Sequence, residues 1–282
     1  MTALVAALLA VYLGYSEGFH GDNLSLRQEG TFRGAVLSFL AQPKRASDPS
    51  VQRAQAILEK SLERYGGQPQ ILAIQEAIYE YSVEPVGGEP AKPISMKTYF
   101  KSDTCFRSEA RGGGQDAVTI LNGNQGWVQV GDTTLSLSGK ELDPLKRGMI
   151  AQLRPELLLL TFPKVRYEGR VESEGRQLDQ ILVSGFLGGQ YVRGRLSIDA
   201  DTSLLYKYEY EAEQDSPKGP GISRGAEKYL KYGEKDGVRF PQEIISQQGR
   251  KVSKLLVTQV AFAPGLDPKL FQDPTPPTTG KP

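Results

Sequence analysis

From Glu76 almost to the end of the chain, hydrophobic and polar residues alternate with a period of two. In "EAIYEYSVE" the residues that alternate with polar neighbours are Ala77, Tyr79, Tyr81 and Val83. Such alternation is typical of strands that place one face on a core and the other in solvent. Turn-forming pairs separate the runs, among them Asn122-Gly123 and Gly131-Asp132,. The sequence therefore predicts a large sheet of antiparallel strands.

A single amphipathic helix is predicted ahead of the first strand. In "DPSVQRAQAILEKSLERYGG", apolar residues recur at steps of three and four,. Asp48 can cap the first turn, Pro49 suits its first position, and Gly66-Gly67 ends the helix,.

The period changes again in the middle of the chain. In "LDPLKRGMIAQLRPELLLLTF", Met149, Ile150 and Leu153 follow helical spacing, and Pro155 limits the helix,. The run "LLLL" that begins at Leu157 is more apolar than its neighbours. We expect this segment to be a helical insert that packs on the sheet.

These elements predict a mainly β (α+β) fold. A curved antiparallel half-barrel sheet of about ten strands would wrap over the N-terminal helix and the inserted mid-chain helix. We assign residues 48–274 to this one domain. The concave side would be either a filled core or an apolar cavity for a hydrophobic ligand, and the pattern alone allows both.

The two ends of the chain are predicted to lie outside the domain. Residues 3–13, "ALVAALLAVYL", have the length and composition of a signal-peptide core, although a buried or membrane-held helix is the alternative,. We assign residues 1–47 to a leader and linker for export to the periplasm, with an uncertain cleavage site. The proline-rich residues 275–282 are predicted to form a disordered tail.

Composition excludes several classes of function. Lys and Arg number 34 against 33 Asp and Glu, without a dense basic run, so nucleic acid is not an expected partner,. With Cys105 and His20 as the only residues of their types, the chain lacks the residues for an internal disulfide, a Cys/His zinc site or a histidine-dependent triad in the domain,. We interpret Asp199 and Asp201 as turn residues, and we predict no metal, no cofactor and no enzyme activity.

A late hairpin completes the predicted sheet. In "YGEKDGVRFPQEIISQQGRK", Lys235-Asp236-Gly237 supplies a tight turn, and Pro241 indicates a sheet edge or a bulge because it lacks an N–H to donate,. The charges around this turn are those of a solvated surface.

The order of several segments resembles the outer-membrane lipoprotein carriers, the LolA-like group of envelope proteins. The segments are "PISMKTYFKSDTCFRSEA", "AVTILNGNQGWVQVGD", "LSIDADTSLLYKYEYE", "DGVRFPQEI" and "VTQVAFAPGLDPKLFQDP". The resemblance implies a half-barrel closed by helices around an apolar cavity for acyl chains, in the periplasm and without catalysis. Ser102-Asp103 stands where the carriers have an Arg-Pro step whose arginine helps to hold the helical lid shut.

The leading hypothesis is a periplasmic binding or carrier protein, monomeric, for a lipid or the acyl chains of a lipoprotein. An envelope interaction or sensory module that binds a partner protein is the alternative, and a hydrolase using Glu209, Asp236 and Glu243 is a second one. Plain core packing is the other explanation for each candidate cavity residue. The candidates are Phe100, Trp127, Leu135, Leu137, Met149, Ile150, Leu153, Leu157, Tyr206 and Tyr208.

Overall fold

The computed structural model describes residues 48–87, 92–102, 104–112, 116–216 and 219–274. The predicted leader (1–47), the predicted tail (275–282) and Asp103 lie outside the described residues.

One antiparallel, curved and unclosed sheet of thirteen strands dominates the fold, in the spatial order β6-β5-β4-β3-β2-β1-β13-β12-β11-β10-β9-β8-β7. Neighbours in this order are consecutive in sequence, except where β1 pairs with β13. The strands are β1 (Glu76–Pro85), β2 (Ile94–Lys101), β3 (Cys105–Arg111), β4 (Ala117–Asn122), β5 (Gln125–Val130), β6 (Thr133–Ser138), β7 (Lys164–Ser173), β8 (Arg176–Leu187), β9 (Gln190–Asp199), β10 (Leu205–Ser216), β11 (Gly219–Lys235), β12 (Val238–Gln248) and β13 (Lys251–Phe262).

The predicted curved antiparallel sheet is confirmed, with thirteen strands instead of about ten. Some of its turns lack an obvious sequence signal. Glu174-Gly175 separates β7 from β8 with positive φ at both residues, 53° and 73°. A glutamate in this conformation is uncommon, so the turn is harder to identify than an Asn-Gly pair.

The N-terminal helix and the mid-chain insert form where capping residues and spacing predict them, and a short helix that the sequence does not predict follows the first. They are α1 (Pro49–Tyr65), α2 (Gln68–Ala73), α3 (Asp143–Leu153) and α4 (Leu158–Thr161), with 3-10 turns η1 (Gly139–Leu142), η2 (Pro155–Leu157) and η3 (Pro268–Phe271). The side chain of Asp48 accepts a hydrogen bond from the backbone N–H of Ser50 at 2.9 Å. Gly66 ends α1 with a φ of 124°, as a C-terminal glycine should,.

Each face of the sheet has its own apolar cluster. The larger cluster joins the sheet to α1, α2, α3 and α4, and it defines the concave side. The smaller cluster centres on Ile120, Leu266 and Phe271, where the chain after β13 packs on β3 and β4. We call the segment Asp143–Thr161, comprising α3, η2 and α4, the cover because it lies over the concave wall.

The late hairpin resolves the position of Pro241. Asp236 and Gly237 form the turn between β11 and β12, with φ values of 52° and 77°. Pro241 pairs with Tyr232 of β11, next to a register shift in this ladder. On its other side the ladder of β12 with β13 begins only at Glu243, so Pro241 has no strand partner there. Pro241 therefore lies beside a bulge and at a locally unpaired stretch of β12, and both predicted possibilities apply.

Candidate functional site

Eight of the ten candidate cavity residues lie on the concave side. Six of them belong to the buried core there and are at most 2% exposed: Phe100, Leu137, Met149, Ile150, Leu153 and Tyr208. Leu135 and Leu157 are half-buried and pack against the same core. The structure therefore brings these eight side chains together between the sheet and its cover.

Trp127 and Tyr206 lie elsewhere. Trp127 packs with Ile120 in the smaller cluster, while its neighbour Val128 belongs to the concave core. Successive strand residues point to opposite faces, so a shift of one position decides this placement. Tyr206 falls at a register irregularity in β10, and its hydroxyl donates to Glu174 at 2.7 Å. These two positions depart from the common concave surface expected from sequence.

The concave side is filled at these positions. A side chain beside an open space keeps solvent-accessible area, but Met149 and Tyr208 have none and Leu153 retains 1%. Neighbouring side chains thus occupy the space next to each of them, as in an ordinary protein core. In this conformation an acyl chain would have to displace part of the cover.

A buried arginine, paired with a glutamate inside the cover, attaches the cover to the end of α2. The Arg154 guanidinium bonds to Glu156, and both side chains are buried. It also donates to the carbonyls of Ile71 at 3.3 Å and Ile74 at 3.4 Å, at the end of α2. Its central carbon lies 5.1 Å from the ring centre of Phe100. Burial opposes its charge, but Glu156 outweighs this and the pKa of Arg154 is raised,.

Sequence reasoning did not identify Arg154, although the sequence carries a signal for it. Arg154 and Glu156 interrupt the most apolar segment, "IAQLRPELLLL", only two residues apart. Charges in such a segment must pair or remain in water. Ser102, at the position matched to the carriers' arginine, is an exposed turn residue with a φ of 72°. In this chain a buried arginine bonds to backbone carbonyls from within the cover itself.

Two further polar contacts join the cover to the sheet. The amide of Gln152 donates to the hydroxyl of Ser246 on β12 at 3.2 Å, and the hydroxyl of Tyr229 on β11 donates to the carbonyl of Ala151. Both contacts are buried, where a lost partner is costly.

Beside these contacts lies a buried polar cluster. Ser246 donates to Glu227 at 3.0 Å, and Gln248 donates to the hydroxyl of Tyr210 at 2.6 Å. Burial raises the pKa of Glu227 to about 8, so the carboxyl group carries a proton at neutral pH,. We call this set the polar cluster, and its members are Arg147, Gln152, Tyr208, Tyr210, Glu227, Ser246 and Gln248.

The carboxylates considered for hydrolysis lie apart from this cluster and have their own partners. Glu243 lies between Lys231 and Lys254, at 2.9 Å from each ammonium nitrogen. Glu209 pairs with Lys207 at 2.7 Å. Asp236 is in the exposed β11–β12 turn.

Asp199 serves the β9–β10 turn, as its sequence context predicts. Its carboxylate accepts from the backbone N–H groups of Asp201 and Thr202, and it pairs with Arg176 at 2.7 Å. In the described ranges no group of three or more His, Cys, Asp or Glu side chains is placed to hold a metal ion. None of the helices described is both long and apolar enough to cross a membrane.

Solved structures share this architecture at low sequence identity. A DUF1329 family protein from Desulfovibrio piger aligns with a TM-score of 0.53 and 14% identity over 80% of this chain and 98% of its own. A LolA superfamily protein from Nitrosomonas europaea aligns with a TM-score of 0.52 and 14% identity over 78% and 97%. The chain has a LolA-like fold. No protein-family model and no curated protein matches the sequence. At these identities the LolA-like likeness establishes the fold alone.

Proposed function

We propose that this LolA-like protein is a non-enzymatic binding protein of the bacterial cell envelope. Its ligand would be an acyl chain of a lipid or of a lipidated protein, held between the sheet and the cover. The observation that carries the proposal is the closure of an apolar concave wall by a separate segment with polar attachments. A cover attached in this way has a defined closed state, and its leucines occupy the space that an acyl chain would take.

The energies involved allow a ligand to displace the cover from the concave wall. Glu156 moves with Arg154, so opening the cover keeps this ion pair and breaks only the two hydrogen bonds from Arg154 to the carbonyls of Ile71 and Ile74. Hydrogen bonds of a charged group contribute roughly 1.5–3 kcal/mol each, which gives a cost of about 3–6 kcal/mol. Burying each methylene group of a ligand contributes roughly 0.8 kcal/mol, so about four to eight methylenes offset that cost. Longer chains would bind with net gain. The proposal thus requires a steep dependence of affinity on chain length.

Other features support the envelope location and the absence of catalysis. Residues 3–13 have the composition of an export signal, and a similar fold occurs in a protein described as belonging to the LolA superfamily. The carboxylates available for acid–base chemistry either pair with lysines or lie in an exposed turn. They therefore do not form the pair of a general acid and a general base that hydrolysis would need.

The test measures displacement of a fluorescent fatty acid by octanoate, laurate and palmitate. Palmitate should bind well, octanoate hardly at all, and laurate in between. Arg154→Met should speed association because it weakens the closed state. Arg170→Met is the matched control, since Arg170 pairs with Asp179 at 2.8 Å but is half-exposed and belongs to the edge strand β7, outside the cover. Absence of binding by every fatty acid, or equal rates for both variants, would contradict the proposal.

A second candidate, binding of a partner protein at a sheet edge, is favoured by the filled interior and by strand β6. Among the described residues β6 has a strand neighbour on one side only. Its sequence, "TTLSLS", has no charged residue, whereas the other edge strand, β7, carries five. Uncharged edges accept an added strand more readily. Ser136→Lys should then abolish partner binding and leave fatty-acid binding unchanged, and the reverse result would exclude this candidate.

A further inference from the structure

Several buried polar atoms of the polar cluster make no hydrogen bond within it. Among the described residues, no partner is available for Nε and one terminal nitrogen of Arg147, for the second carboxyl oxygen of Glu227 or for the hydroxyl of Tyr208. All three residues are at most 3% exposed. Buried polar atoms without partners are rare in folded proteins, and they point to a function.

These atoms come from both sides of the cover–sheet contact and lie close together. The Arg147 guanidinium carbon, on α3, is 5.0 Å from the ring centre of Tyr210 on β10. The Tyr208 ring stacks on that of Tyr210, with centres 5.2 Å apart. Burial raises the pKa values of Tyr208 and Glu227, and the charge of Arg147 acts on both in the opposite sense. The amide of Gln248 donates to the hydroxyl of Tyr210 at 2.6 Å and to Glu227 at 3.4 Å. This places Glu227 beside the ring that Arg147 contacts.

Two glycines allow the tyrosine rings to lie flat against the sheet. A methyl group at Gly194 would come within 2.9 Å of the Tyr208 ring, and one at Gly225 would collide with the Tyr210 hydroxyl. Tyr208 also contacts Phe162, just after the cover, with ring centres 6.2 Å apart. The polar cluster thus adjoins apolar surface on the same concave side.

The leftover groups are all hydrogen-bond donors. Arg147 offers three N–H groups on two nitrogen atoms and a positive charge, and Tyr208 offers its hydroxyl,. Because burial keeps Glu227 protonated at neutral pH, its free oxygen can donate as well,. A set of donors around one positive charge fits an anionic oxygen group such as a carboxylate or a phosphate.

We propose that the polar cluster binds the anionic head group of an amphiphile whose acyl chain lies along the concave wall. The inference rests on the proposed acyl-chain binding and adds the chemical class of the ligand: a fatty acid carboxylate or a lipid phosphate. In the closed state the donors face the cover–sheet contact. Insertion of an anionic head group supplies the acceptors that they lack.

The test compares palmitate with hexadecanol, which has the same chain length and no charge, and with dodecyl phosphate and inorganic phosphate. Both charged amphiphiles should bind at least about ten-fold more tightly than the neutral alcohol, as expected for charge-assisted hydrogen bonds. The stronger of the two identifies the head group, and inorganic phosphate alone should not compete. Equal binding of palmitate and hexadecanol would overturn this inference and leave the proposed function intact. Failure of every amphiphile to bind would overturn both.

Single substitutions test whether Arg147 and Tyr208 bind the anionic head group. Arg147→Met should lose about ten-fold in affinity for palmitate and stay within two-fold for hexadecanol. Tyr208→Phe, which keeps the ring, should lose a few-fold for palmitate only, and it remains informative if the arginine variant fails to fold. The matched control is Arg176→Met, because Arg176 also stacks on a tyrosine, Tyr206, at 4.9 Å, but pairs with Asp199 at the β9–β10 turn. Equal losses for palmitate and hexadecanol in Arg147→Met would contradict a head-group site.

Discussion

Replacement of Glu227 by glutamine should stabilise the protein at neutral pH and leave it unchanged in acid. Glutamine keeps the acceptor for Ser246 and resembles the protonated carboxyl that burial favours. The ordinary pKa of 4.5 rises to about 8 in the folded protein. The unfolded chain therefore releases a proton that the folded one retains, and stability falls as pH rises through this range.

The size of the effect follows from the same two values. Between pH 4.5 and about 8, each pH unit lowers the free energy of unfolding of the wild-type protein by about 1.4 kcal/mol,. The loss amounts to about 3 kcal/mol at pH 7. The glutamine variant does not titrate, so it should melt roughly 6–12 °C higher at pH 7 for a domain of this size. Below pH 4.5 the free-energy difference between the two proteins should stop changing.

Urea or thermal unfolding at several pH values between 4 and 8 measures this difference. Glu243→Gln provides a control of opposite sign, because hydrogen bonds and charge from Lys254 and Lys231 lower the pKa of Glu243. That variant should be less stable at neutral pH, and the deficit should shrink as pH falls. A difference between Glu227→Gln and wild type that is independent of pH, or a less stable variant at pH 7, would refute the reasoning.

Three further predictions concern the cover and the opposite face of the sheet. Arg154→Met should lower the free energy of unfolding in urea by about 3–5 kcal/mol, while replacing Arg154 and Glu156 together by methionine should recover most of the loss. Unchanged stability in the single variant would show that the pair is not needed for folding. Burial raises the pKa of Cys105 to about 11, so a maleimide should label it slowly at pH 8,. Phe271→Ala should speed that labelling and red-shift the fluorescence of Trp127, the only tryptophan, because all three residues share the smaller cluster. If Arg154→Met shifts this fluorescence as strongly as Phe271→Ala does, the placement of Trp127 is wrong.

Much of the fold could be predicted because its signals are local. The cap at Asp48 and the apolar spacing in α1 depend on residues within a few turns of each other,. The same is true of the helical spacing in α3. Alternation predicted the sheet, since it repeats over many strands.

The placement of single side chains could not be predicted as well. Whether Trp127 faces the cover or the smaller cluster depends on a shift of one residue in a six-residue strand,. Tyr206 lies at a register irregularity, where alternation fails,. Glu227 lies two residues before the buried Tyr229 on the same strand, so the alternation places it on the buried face. Its hydrogen-bond partners Ser246 and Gln248, however, come from another strand. Long-range pairing of this kind leaves no short motif.

Hydrogen–deuterium exchange with and without palmitate tests the central claim, that a ligand enters between the cover and the concave wall. The account predicts altered exchange in residues 143–161 and in the strand segments that contact them in β8 to β12, with β3 and β4 unchanged beneath η3. Hexadecanol should change the same regions only at higher concentration. Bound palmitate that leaves residues 143–161 unaffected, or that protects the face around Phe271 instead, would contradict the claim.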